Sequence, residues 1–468
     1  MFVRFEKKDG KISGHMMALE RDQLSETRAE KSLAASLPDK ISDEVNIESI
    51  LRNFDTDMEV YQGPLELLFY FNAKIGREIV TEKLVKFVTE KSHSRELGGD
   101  FEIFEIDDVH IVELIKRSEE IVAWGRSRRE LPKIAIIGMI ATLDDYIARL
   151  AKVVCINKSS YIFGKEKTVA LSDILTHSNL DELKEKILSE EVERLMRDGH
   201  DSQVQWFEKA LNAEIIKNYP LWPEFMEICA RRNLFTHTSG VVSGSYVALG
   251  KKFGFAAGVT AGTKLSVDSG YYRRSVHVLY DFYFKLAHLV WRKLDLDCGV
   301  CPNESLNIHS YKLVVDKKYN QAIDILEYGL NIRGVISERT KRMMAINLAN
   351  SYKMIKEFDK SKEVLSRFDW TAVSTDFKIC VCAIEGRIPD LISLMETHGR
   401  GSEDAPVDYE NWPVFREARR DAKFREAFKA KFGIPIKIKS PRVGVDDEAL
   451  EGNIEAQSAI GQSETASI

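Results

Sequence analysis

The longest periodic stretch in the chain runs from Lys133 to Ile156, where Ile134, Ile137, Ala141, Ala148, Ala151 and Val154 recur at helical spacing. An apolar stripe of that length commits its surroundings to further helices that cover it. The most apolar run, Ile134 to Leu143, closes with Asp144-Asp145 and is too short to cross a bilayer. Residues 1–8 carry charges where a signal peptide would place its apolar segment, so the expectation is a cytoplasmic chain without a membrane partner.

Helical patterns recur on both sides. Residues 1–45 are polar, hold no sustained period and read as weakly ordered. Short apolar groups at Ile47-Ile50-Leu51-Phe54, Leu65-Leu68-Phe69 and Leu84-Val85-Phe87-Val88 predict a small helical subdomain over 46–104. Asp107-Asp108 opens a helix through Ile111, Leu114, Ile115 and Ile121 to Trp124, separate from the one beginning at Lys133. Leu180–Arg197 predicts a charged helix buried through Leu183, Ile187, Val192 and Leu195, and Gln203 to Ile216 another. Tyr271 to Leu294 predicts a long aromatic helix. The glycines of 240–270 lack the Gly-Lys-Ser/Thr of a phosphate loop and read as turns. With 468 residues, two or three domains are expected, and six Cys in such a chain suit a reducing compartment better than a disulfide framework.

Chemistry concentrates at Pro223 to His237. Phe225, Ile228 and Cys229, with Arg232 continuing the row, have the spacing of one helix face. Pro223 suits the first turn and Gly240 the left-handed position past the end. Asn233 and His237 are one helical step of four apart; Arg232 lies about 140° round from His237 and roughly 7.5 Å down the axis, within reach of the same space. A guanidinium forks onto phosphate oxygens, and an imidazole acts as acid or base near neutrality. The plainer alternative is a solvated helix end, where cations favour the dipole. Arg126, Arg128 and Arg129, with Arg231, are secondary candidates for phosphate contact.

Arg232-Asn233-Leu234-Phe235-Thr236-His237 resembles the Arg-(polar)-x-x-x-His signature of HEPN ribonucleases. The flanks Gln205-Trp206-Phe207, Leu221-Trp222-Pro223, Thr238 to Val242 and Tyr246 are similar to one bacterial HEPN subgroup, and the resemblance extends over 105–295. Loosening the spacing by one also admits Arg194 to His200, a decoy. The resemblance implies an antiparallel helical HEPN bundle with Arg232, Asn233 and His237 catalytic. It further implies metal-independent cleavage of RNA by its own 2′-hydroxyl, no cofactor, and a homodimer through this domain. A toxin or phage-defence role rests on the same analogy. The competing reading is a non-catalytic scaffold that binds RNA or a protein. A net charge of −6 confines any RNA contact to a local patch.

Over 304–432 the character becomes repetitive. Tyr319, Ala322 and Leu326 share offsets with Phe358, Ser361 and Leu365 and with Ile388, Leu391 and Met395. Leu348, Ala349 and Tyr352 resemble the first helix of a tetratricopeptide (TPR) unit. The expectation is a degenerate TPR-like helical-hairpin solenoid that offers a surface to a protein partner, closed by Trp412 to Phe415 with Phe424 and Phe428. Residues 441–468 read as a disordered tail. Cys298 with Cys301 is only half a metal site, and Cys380 with Cys382 lies on a predicted helix, so no metal is assigned. The fold class is therefore mainly α.

Overall fold

A computed structural model describes residues 2–8, 11–19, 46–71, 77–97, 102–158, 174, 179–296, 301–332, 336–398 and 405–437. It is mainly helical, and the chain divides into two compact units, Met1–Pro302 and Asn303–Ile468. The expected tail 441–468 and Cys298 lie outside the described residues.

The first unit opens with an antiparallel hairpin, β1 (Phe2–Lys8) and β2 (Lys11–Leu19), within the polar segment whose sequence has no sustained period. Three helices follow, α1 (Ile47–Gln62), α2 (Pro64–Phe71) and α3 (Arg77–Lys91). The Asn46 side chain caps α1 by accepting from the amides of Glu48 and Ser49, at 2.9 and 3.2 Å. A second hairpin, β3 (Ser92–Leu97) with β4 (Glu102–Ile106), leads into the longest element, α4 (Ile111–Asn157).

Helix α4 corrects the expectation of two helices. It is one rod of 47 residues and continues through Pro132. Arg126 to Leu131 are mostly strong helix formers, so losing one internal hydrogen bond at proline does not stop the rod. Its buried residues all lie from Lys133 to Cys155. The earlier half is covered partly by α3, where the Arg117 guanidinium sits 4.6 Å from the centre of the Phe87 ring.

Helix α5 (Leu180–Arg197) has the bounds its charge and apolar pattern predict; Leu183 and Leu195 are buried, while Ile187 and Val192 are half-buried. The helix expected over Gln203–Ile216 is instead two, α6 (His200–Leu211) and α7 (Ile215–Asn218). Asn212 takes the left-handed conformation, φ 47°, and the Glu208 carboxylate accepts from the amides of Ile215 and Ile216 at 2.7 and 2.8 Å. Then come α8 (Trp222–Thr238), α9 (Gly244–Phe253) and α10 (Ser269–Leu294). The second half of α4 packs against α1, α5, α8 and α10. Phe225 of α8, Phe282 of α10, Tyr219 and Trp222 meet in one aromatic cluster, with the Phe225 and Phe282 ring centres 4.3 Å apart. His288 is fully buried between Phe284 and Trp291, a core histidine.

The second unit contains three helix–turn–helix pairs: α11 (Pro302–Val315) with α12 (Tyr319–Asn331), α13 (Glu338–Met354) with α14 (Phe358–Ser366), and α15 (Thr375–Glu385) with α16 (Ile388–Thr397). Each turn places a left-handed residue two positions before the second helix: Lys317 at φ 64°, Lys356 at φ 67° and Gly386 at φ 71°. Of the shared offsets, the second and third residues are buried in every pair, whereas Phe358 is 53% exposed. Phe415, Phe424 and Phe428 are buried with Tyr409 at the end, between α17 (Ala405–Asn411) and α18 (Ala422–Phe432). The Lys431 ammonium donates to the carbonyls of Met395, Glu396 and His398, the last at 2.8 Å, and so ties α18 to the end of α16.

Candidate functional site

Helix α8 is fixed at both ends. Pro223 lies in its first turn, where the missing N–H leaves nothing unpaired. At the other end Ser239, φ 53°, takes the left-handed cap that the sequence assigns to Gly240, and Gly240 follows at φ 89°. The Gly240 amide donates back to the Leu234 carbonyl at 3.0 Å, closing the helix. The Gly240 carbonyl accepts from the Leu265 amide at 2.9 Å, so 263–265 lies across the helix end. A Cβ at Gly240 would stand 2.7 Å from the Leu265 carbonyl oxygen. Gly240→Ala is therefore expected to lower stability by about 1–3 kcal/mol, through both the positive φ and that clash; an unchanged urea midpoint would show that the end of α8 is free to rearrange.

Along α8, Phe225, Ile228 and Cys229 are buried. Asn233 and His237 are exposed, four residues apart. Arg232 continues the buried row: its side chain is 23% exposed, and Nη2 lies 3.6 Å from Asp144 Oδ2 on α4. No hydrogen bond or ion pair among the described residues joins Arg232, Asn233 and His237 to one another.

Arg231 belongs to a different cluster. Its Nε donates to Glu227 at 2.6 Å, its guanidinium carbon lies 3.9 Å from the Tyr271 ring centre, and Nη1 donates to the Ser266 carbonyl at 3.2 Å. Glu227 also accepts from the hydroxyls of Tyr246 and Tyr271, at 2.7 and 2.9 Å. Burial and the neighbouring carboxylate push both phenols above their ordinary range. Burial alone would favour loss of the Arg231 proton, but Tyr271, Glu227 and Tyr246 hold it firmly charged. The group knots α8 to α9 and α10, so Arg231 is committed within the fold and is a poor phosphate ligand. Arg126, Arg128 and Arg129 are the opposite case: exposed on the first half of α4, with no ion-pair partner among the described residues. They lead toward α8, because the Lys133 ammonium one turn beyond Arg129 lies 5.9 Å from the Phe235 ring centre.

The residues that the sequence did not single out are Asp144 and the decoy His200. His200 opens α6, is nine-tenths buried, and places Nε2 3.2 Å from Asp144 Oδ1, within ion-pair range but off the line of a hydrogen bond. Burial alone would drive its proton off; Cys229 and Asp144 outweigh that and push the imidazole up to about 10. The visible signal was Asp144 itself, an acid in the row Ile140, Asp144, Ile147, Ala151 whose other members are buried. A proton held more tightly in the folded state than in the unfolded one stabilises fully below the unfolded value near 6.5, and that contribution fades as pH rises through the folded one. Between pH 6.5 and about 10 wild-type stability is expected to fall by about 1 kcal/mol per pH unit through this group, and His200→Gln is expected to flatten that slope. Equal slopes in urea unfolding of the two proteins would contradict the assignment.

No group of three or more His, Cys, Asp and Glu side chains among the described residues is placed to hold a metal ion. Likewise, no described helix is long and apolar enough to cross a membrane. No family model, curated protein or solved structure matches the chain. The case for an activity therefore rests on the side chains themselves.

Proposed function

We propose that the chain is a metal-independent endoribonuclease whose reaction centre is the exposed end of α8 in a HEPN-type helical domain. The observation that carries this reading is the exposed His237 imidazole, with the Asn233 carboxamide one turn before it and Arg232 beside that, on a helix anchored at both ends. Attack of a 2′-hydroxyl on the adjacent phosphorus needs a base, an acid on the leaving oxygen, and cations at the crowded phosphorane. His237 serves the proton transfers, Arg232 the phosphate charge, and Asn233 orients one or the other. The exposed Arg126, Arg128 and Arg129 extend the cationic path along α4 for the RNA backbone.

The two proton transfers occur on opposite sides of phosphorus, and one imidazole does not reach both. The active unit in this reading is a homodimer that brings two copies of α8 together. The helical pairs of the second unit are TPR-like in this view and carry a protein partner or regulator; a cytoplasmic defence or toxin role is the biological extension. A second reading, a non-catalytic HEPN scaffold, is favoured by the internal engagement of Arg231 with Glu227 and of Arg232 with Asp144.

Incubation of the purified protein with bulk RNA in a chelator separates them. Cleavage leaving 2′,3′-cyclic phosphates and free 5′-hydroxyls is expected. Intact RNA in both chelator and added divalent cation would leave the scaffold reading.

A further inference from the structure

We infer that Asp144 and His200 are positioning residues for Arg232, a guanidinium–carboxylate–imidazolium row that crosses α8, α4 and α6. The inference rests on the reading of α8 as a phosphate-handling site and identifies what sets the charge of its arginine. The geometry is a shared carboxylate. Asp144 gives Oδ1 to His200 Nε2 at 3.2 Å and Oδ2 to Arg232 Nη2 at 3.6 Å, one oxygen per cation. The imidazole also lies edge-on to Phe225 with ring centres 6.2 Å apart, and Cys229, three residues before Arg232, adds to the pull on its proton.

The charge count gives the row its use. With the buried Cys229 counted as an uncharged thiol, His200 and Arg232 carry two positive charges against one carboxylate, so a net positive charge remains. The member that presents it is Arg232, because its side chain is 23% exposed against 10% for His200. Without the imidazolium, Asp144 and Arg232 would form a neutral pair, and a phosphate would have to compete with a carboxylate for the guanidinium. The other titratable groups around Arg232, Asp144 and His200 are the phenols of Tyr146 on α4 and Tyr283 on α10 and the buried thiol of Cys229 on α8; burial pushes both phenols well above their ordinary range and keeps them neutral. The Arg232 Nε and the Tyr283 hydroxyl are buried without a hydrogen-bond partner. Asp144 alone therefore does not saturate the hydrogen-bonding capacity of Arg232.

The test compares wild type, His200→Gln, Asp144→Asn and the double variant, each checked for folding by circular dichroism. One readout is affinity for a fluorescein-labelled single-stranded RNA made uncleavable by 2′-O-methylation. The other is the titration of His200 by NMR of 13C-labelled histidine. His200→Gln is expected to weaken binding about tenfold, by leaving the carboxylate to neutralise Arg232. The double variant, which restores one net positive charge, is expected to bind within about threefold of wild type, while its kcat on the same RNA without 2′-O-methylation stays low, because the guanidinium has lost its anchor. A double variant as weak as His200→Gln, or a His200→Gln protein that binds like wild type, overturns the inference. Should wild type bind no RNA, the functional reading fails and the row is decided by NMR alone: His200 is expected to titrate above pH 8 in wild type and well below that in Asp144→Asn. The same wild-type titration decides the matter if His200→Gln does not fold; an imidazole that titrates below neutrality overturns the row.

Discussion

His237→Ala is expected to abolish RNA cleavage while leaving the thermal midpoint within a few degrees of wild type. His237 is exposed, stands outside the apolar row of α8 and forms no hydrogen bond or ion pair among the described residues, so its removal deprives the fold of nothing. Substitutions of that kind shift stability by about half a kcal/mol, whereas a positioned acid or base contributes about 10²- to 10⁴-fold to rate. If the reaction centre takes one imidazole from each of two chains, mixing wild-type and His237→Ala chains under exchange is expected to reduce activity as the square of the wild-type fraction, because mixed dimers are dead. A linear fall would show independent sites. Full activity of the diluted monomer would remove the need for a dimer, and cleavage by pure His237→Ala would move the chemistry elsewhere.

Phe282→Ala is expected to be the most destabilising single substitution near the site, at about 3–5 kcal/mol. Phe282 is 2% exposed, and its ring centre lies 4.3 Å from Phe225, 5.0 Å from Tyr219, 5.4 Å from Tyr283 and 5.8 Å from Trp222. Removing the ring empties the space where α8 and α10 meet, and the surrounding rings are too rigid to collapse into it fully. Phe225 is on the same face of α8 as Arg232, so the damage is expected to reach the guanidinium as well. Urea unfolding of the first unit reads the loss directly. A midpoint shift worth less than about 1 kcal/mol would mean that the cluster repacks and that α8 is not held from this side.

Local signals in the sequence were strong where one helix decides its own limits. Helix α5 is read to the residue: Asn179 caps it by accepting from the amides of Asp181 and Glu182, and its acidic first turn and basic last turn suit the helix dipole. Helix α8 is legible for the same reasons, apart from the cap falling on Ser239 rather than Gly240. The apolar patterns that end at Trp124 and begin at Lys133 belong to one helix, because Pro132 among good helix formers costs a hydrogen bond without ending the rod. The break at Asn212 depends on Glu208 reaching across the turn to cap the next helix, a side-chain contact without periodicity. At the site, His237 and Asn233 are exposed as their spacing outside the apolar row suggests. Arg232 continues the apolar row in the sequence and is turned inward in the structure; its partner was not legible, since Asp144 lies on another helix and that carboxylate's other partner, His200, on a third.

The division of α4 at Pro132 has a kinetic consequence. Beyond it the rod is clamped by four helices, so the backbone amides from Lys133 to Cys155 open only when the unit itself does, and their hydrogen exchange is set by global unfolding. Before it lie 21 residues, Ile111 to Leu131, an arm of about 31 Å at the usual rise per residue, with Val112 at 78% exposed and Val122 at 64%. Proline contributes no amide and leaves the Arg128 carbonyl without its usual partner in the rod. Fraying of this half, which α3 covers in part, meets a missing rung at the point where the clamp begins. The amides of Ile111 to Leu131 are therefore expected to exchange faster than those of Lys133 to Cys155, with Arg126, Arg128 and Arg129 on the faster half.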